Sequence, residues 1–175
     1  MPLIAILRST PTALHTLVAH LEPEHARRRG ADGEWSIVEI VHHMADEELE
    51  DFPLRLRLTL EDPGAAWPGI DPEAAVRERD AINADLGEEL DRFAAARVAS
   101  IAWLQSALLD SDGGGPDWSR RYEHPVIGSI AAGDLLAAWA DHDLLHLRQV
   151  ARRLHEIVQA EAVPFRTDYA GNIGQ

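Results

Sequence analysis

Apolar residues recur at helical spacing along most of the chain. Leu14, Leu17, Val18 and Leu21 stand at i, i+3, i+4 and i+7, one face of a helix. Thr10-Pro11 precedes them, an N-cap type followed by proline at the first helical position. A first helix is therefore predicted from about Thr10. Residues 22–34 read as a loop with room for one helical turn. A second helix opens at Ser36, whose hydroxyl can accept from the amide of Glu39 while the Glu39 carboxylate reaches back to the amide of Ser36. That is a capping box, with Trp35 and Ile40 at the flanking staple positions. The helix is predicted to run to about Leu60, with Pro53 kinking it or starting a new turn.

Two prolines and two glycines between Glu61 and Ile70 mark a loop. Asp71-Pro72 repeats the cap-plus-proline pattern. It predicts a third helix to about Leu109 through Val76, Leu86, Leu90, Phe93, Val98, Ile101 and Leu104. Gly87 weakens this helix by about 1 kcal/mol relative to alanine. Ser111 to Gly115 end it, and residues 116–128 form an irregular connection carrying Trp118, Tyr122 and His124. Ser129 is the expected cap of a fourth helix to about Val158. The tail, Pro164 to Gln175, is expected to be extended or loosely docked. Four long helices without a strand pattern or internal repeat predict an all-α fold. The expected architecture is an antiparallel four-helix bundle spanning residues 1–175 as one domain.

Composition narrows the chemistry. The sequence has no cysteine, so a metal must be held by nitrogen and oxygen, and any thiol must arrive as a substrate or cofactor. The formal net charge is −14, with five acids between Asp46 and Asp51. Nucleic acid and anionic membrane surfaces attract basic faces, so neither is an expected partner. No stretch approaches the ~20 apolar residues of a membrane span. The short apolar run in Met1 to Thr10 lacks a signal-peptide pattern, so the expected location is cytoplasmic.

Among nine histidines, His15, His20, His25 and His155 read as solvated. His142 and His146 are four residues apart and share a helix face with Leu135, Ala138, Trp139, Leu145 and Gln149. The pair therefore points inward. Buried imidazoles need partners, which leaves a shared metal ion or a hydrogen-bonded core pair. His43 shares a face with Ser36, Ile40, Glu47 and Leu54, while His42 is turned about 100° away. His43 is therefore the candidate third ligand, and His42 is read as rim or surface. Three histidines with open positions resemble a catalytic metal site. Gln149, one turn past His146, can fix an imidazole tautomer. Glu47 can orient a water or act as base, although a solvated place in the acidic run is the plainer reading. Asp141 and Asp143 flank the ligand face and read as surface acids or partners of arginines.

Other metal patterns fail. His142-Asp143-Leu144-Leu145-His146 has the zincin spacing, but aspartate replaces the glutamate base. Too little chain follows His142-Asp143 for an HD-type phosphohydrolase. A di-iron site needs two Glu-x-x-His pairs. Here Glu39 serves as a cap, and Pro23 interrupts Glu22-x-x-His25.

Gly33-Glu34-Trp35-Ser36 with Glu39, His43, Asp46 and Glu48, the segment from Trp139 to Gln149, and His124-Pro125-Val126-Ile127-Gly128 together resemble the DinB-like (DinB/YfiT) family of metal-dependent enzymes. The resemblance covers nearly the whole chain in the right order. It implies a four-helix bundle, a metal held by His43, His142 and His146, no DNA binding, and a homodimer. It implies a divalent ion, zinc or nickel first and iron or manganese next. It also implies a small-molecule substrate. Some relatives use a low-molecular-weight thiol such as bacillithiol or mycothiol, so thiol S-transfer is the first expected reaction. Metal-dependent hydrolysis and a non-catalytic metal-binding stress-response dimer are the alternatives. No catalytic residue is assigned from sequence.

Overall fold

The computed structural model describes residues 2–109 and 115–171. Its long helices are α1 (Pro2–Val18), α3 (Ile37–Glu50), α6 (Leu86–Leu109) and α7 (Ala132–Glu161), joined by the shorter α2 (Pro23–Ala26), α4 (Phe52–Glu61) and α5 (Pro72–Glu78). A two-stranded antiparallel hairpin, β1 (Arg121–His124) and β2 (Gly128–Ala131), precedes α7. The architecture is a four-helix bundle.

α1 starts eight residues earlier than Thr10-Pro11 implied, which puts Pro11 inside it. Proline has no N–H to give to the carbonyl four residues back. That carbonyl, on Leu7, accepts instead from Nη1 of Arg97 at 2.7 Å. A tertiary contact from α6 thus replaces the missing helical bond.

The second predicted helix is two helices. α3 ends at Glu50 with Asp51 as its C-cap, and α4 restarts with Pro53 in its first turn, the restart that proline favours. The capping box at Ser36 forms as expected: Ser36 N donates to Glu39 Oε2 at 2.9 Å, and Glu39 N to Ser36 Oγ at 3.4 Å.

The third predicted helix is also divided. Asp71 Oδ1 accepts from Ala74 N at 3.0 Å and caps α5. Asp80 then turns left-handed at φ 53°, and Asp85 Oδ1 accepts from Glu88 N at 3.0 Å as α6 begins. The expected helix end at Ser111 to Gly115 lies mostly outside the described residues. Ser129 does not cap α7 but sits in β2, opposite Glu123. The helix starts after Ala131, whose amide donates to Asp134 Oδ2 at 2.9 Å. Of the tail, Asp168–Ala170 make a 3-10 turn, and residues 172–175 lie outside the described residues.

The interior has two apolar clusters. One joins Leu14 and Val18 of α1 to Ile40 and Met44 of α3, Phe93 of α6 and Val150 of α7. The other joins Leu7, Leu56, Ile101, Leu104 and Trp139. α1, α6 and α7 pass from one cluster to the other, while α3 packs in the first and α4 continues into the second; the residues between the clusters are polar and buried. They include Thr10 on α1, Glu47 and Glu48 on α3, Arg97 on α6, and Asp143 and His146 on α7. A buried polar layer is tolerable only if its groups find partners, and those partners build the site.

Candidate metal centre

α3 carries His43 and α7 carries His142 and His146 into this layer. One nitrogen from each of the three lies within 4.8 Å of the others. His142 Nε2 and His146 Nε2 are 3.0 Å apart. Ring centroids are 5.4 Å apart for His43 and His142, and 4.7 Å for His43 and His146. Trp35 lies 5.0 Å from the His43 ring and Phe52 lies 4.9 Å from the His142 ring.

The imidazoles are held neutral. Burial pushes His43 down to about 3, with the charges of His146, His142 and His42 adding to the effect. Burial likewise pushes His142 to about 3, aided by His146 and Arg97. His146 is also lowered by burial, against opposing contributions from Gln149 and Asp143. His146 Nδ1 lies 2.8 Å from Gln149 Oε1. With Nδ1–H donating to that oxygen, Nε2 presents a lone pair toward His142 and His43. A divalent ion with bonds of ~2.1 Å holds its ligand nitrogens roughly 3.0–3.4 Å apart. The His142–His146 pair already has that spacing, and a His43 nitrogen lies within 4.8 Å of both. The donor set, three neutral imidazoles with one tautomer fixed, therefore fits a zinc-type ion.

Glu47 is buried, with Oε1 3.8 Å from His43 Nδ1. The solvated reading of this residue is corrected. Burial pushes its carboxyl up to about 8, with the hydrogen bond to Asp51 and the charge of Asp51 adding. His42 is corrected too. It is buried between Glu89, 3.0 Å from its Nδ1, and Asp46, 3.3 Å from its Nε2. It is turned away from the three histidines, as helical geometry implied, but it meets α6 and not solvent. α3 is packed against α4, α5, α6 and α7, so every face of its central turns is covered. Asp143 is likewise buried, paired with Arg97 at 2.6 and 2.9 Å. Leu145, expected to face inward, is 44% exposed.

The aromatic residues before α7 have their own partners. Tyr122 stacks on Trp67 with centroids 4.1 Å apart, and His124 lies 5.8 Å from the Trp67 ring. Trp118 packs against the cluster around Trp139. Sequence reasoning singled out neither Arg97 nor Asp51. The available signal was an arginine on the apolar face of α6, between Phe93 and Ile101.

This bundle and the three histidines on its two central helices define a class. The sequence profile of the DinB superfamily matches residues 6–150; the chain belongs to that superfamily. It is similar to YfiT of Bacillus subtilis, with 24% identity over 155 residues, 86% of this chain and 83% of that protein. It is also similar to a protein of Oceanobacillus iheyensis, with 25% identity over 135 residues, 76% of this chain and 72% of the relative. Both relatives are named, by inference, as metal-dependent hydrolases. The solved structure of Bacillus subtilis YfiT, described as a four-helix bundle of unusual topology, superposes with a TM-score of 0.69. It is 23% identical, over 88% of this chain and 86% of that one. These relatives give thiol S-transfer no support. No helix among the described residues is long and apolar enough to cross a membrane.

Proposed function

We propose that this protein is a hydrolase of small molecules that works with one divalent ion, zinc or nickel foremost, held by His43, His142 and His146. The observation that carries the reading is the convergence of three neutral imidazoles from two helices, His43 and His146 buried and His142 half-buried, with ligand nitrogens within 4.8 Å. The names of the relatives point the same way. When bound, such an ion polarises a carbonyl and brings the pKa of a coordinated water to about 7.

The chain's own groups supply the rest. Gln149 holds His146 in the tautomer that leaves Nε2 free. Glu47 sets a carboxyl group beside a ligand ring on the ligand face. It is placed to take a proton from an attacking water and return it to the leaving group. Asp51 is hydrogen-bonded to Glu47, and Arg55 in turn pairs with Asp51 at 2.5 Å. Trp35 and Phe52 limit water around the ligand rings. The reading keeps the homodimer expected from the resemblance, which light scattering would report as twice the chain mass.

The test is a panel of esters and amides offered to zinc- and nickel-loaded protein, beside Glu47→Gln. The reading expects metal-dependent hydrolysis in the parent. Glu47→Gln should keep the metal but turn over at least ~100-fold more slowly. Thiols with an electrophile serve as the opposing arm. Consumption of thiol without hydrolysis of any panel member would replace this reading with thiol transfer.

A further inference from the structure

The helices that carry the ligand histidines also each send a carboxylate to one guanidinium. Arg97 of α6 is 2% exposed. It grips Asp143 with two prongs, Nη1 to Oδ2 at 2.6 Å and Nη2 to Oδ1 at 2.9 Å. Nη2 also meets Glu48 Oε2 at 2.8 Å, and that oxygen accepts from Trp139 Nε1 at 3.0 Å. Nη1 completes the set by donating to Leu7 O. The guanidinium lies 4.8 Å from the ring centre of Phe93 and 5.3 Å from that of Trp139.

Their positions along the helices matter. Asp143 lies between the ligands His142 and His146 on α7, and Glu48 lies five residues past His43 on α3. Arg97 therefore ties together the very turns that present the three imidazoles, from the side of the helices that faces α6. A buried ion cluster is a poor way to gain stability, since packed apolar residues of similar volume do as well or better. What a forked arginine adds is direction: its donors fix both the rotation and the axial register of the groups they hold. A slip of one residue moves a helix 1.5 Å and turns it 100°, enough to part His43 from the other two.

We infer that Arg97 is a positioning residue for the metal centre, setting, through Asp143 and Glu48, the register of α7 against α3 that brings His142 and His146 to His43. This rests on the proposed metal reading.

The test is a cobalt(II) titration of the metal-free full-length protein, at a temperature where every variant is folded. Dissociation constant and d–d absorption are read beside the metal-free melting temperature. Arg97→Lys keeps the charge without the fork, and Asp143→Asn keeps the shape without the charge. Leu104→Ala, a fully buried residue of the second cluster, is the control for lost stability alone. The inference expects cobalt binding weakened at least ~10-fold and altered bands in Arg97→Lys and Asp143→Asn. Leu104→Ala should bind as the parent does despite its lower melting temperature. Parent-like affinity and bands in both polar variants would overturn the inference. So would losses of affinity that follow melting temperature across all three. A parent that shows no cobalt bands would instead overturn the metal reading itself.

Discussion

At the scale of single residues, the polar groups between the two apolar clusters decide how the protein behaves. Glu47 titrates near 8 in the folded chain and near 4.5 as a free side chain. Between those values the folded protein holds the extra proton. The stability linked to it is present below pH 4.5 and lost as pH rises through 8. Metal-free Glu47→Gln should therefore be more stable than the metal-free parent at pH 8 and nearly equal to it at pH 4.5. Urea denaturation at the two pH values checks this; equal midpoints at pH 8 would contradict it. The sequence located Glu47 on the ligand face but not its burial. Helical angles give direction relative to a neighbour on the same helix, and they do not say how many other helices surround it. His42 shows the same limit: its turn away from His43 was readable, but its pairing with Glu89 required knowing that α6 packs there.

At the scale of elements, local capping signals were the most readable part. The Ser36–Glu39 box, the Asp71 cap and the restart at Pro53 all stand where residue type and spacing placed them, because each works within one turn of helix. Ser36 is fully buried, so Ser36→Ala leaves the Glu39 amide without its cap acceptor and takes one of the donors from the Glu39 carboxylate. It should destabilise the protein by about 1–2 kcal/mol, seen as a lower melting temperature with the mid-helix His43 still in place. Elements defined by distant partners were not readable. Pro11 read as a start because Thr-Pro is a cap-plus-proline pattern; the donor that lets it sit inside α1 is Arg97, 90 residues along the chain. The hairpin strands have four residues each, too short for a period-two pattern to stand out.

At the scale of the whole molecule, the bundle and the histidine triad were both legible. The apolar stripes repeat at helical period over long segments, and only three histidines face one another across two of the helices. The price of the triad is acid sensitivity. His43 and His142 titrate near 3 when folded against 6.5 when free, so between these values the unfolded chain binds the extra protons. Their contribution is intact above pH 6.5 and is lost as pH falls toward 3. The melting temperature of the metal-free protein should fall over that window, and the fall should be smaller in a His43→Gln, His142→Gln double variant. A saturating ion that binds only the folded chain should raise the melting temperature, by RT ln(1 + [L]/Kd) at the free-energy level, and a chelator should reverse the rise.

The central claim, that His43, His142 and His146 hold one divalent ion, is tested most directly by elemental analysis of untagged protein beside His43→Ala and His142→Ala. The account predicts about one ion per chain in the parent and little in either variant. A parent that stays metal-free when offered zinc, nickel, iron and manganese in turn, or variants that load as the parent does, would contradict it.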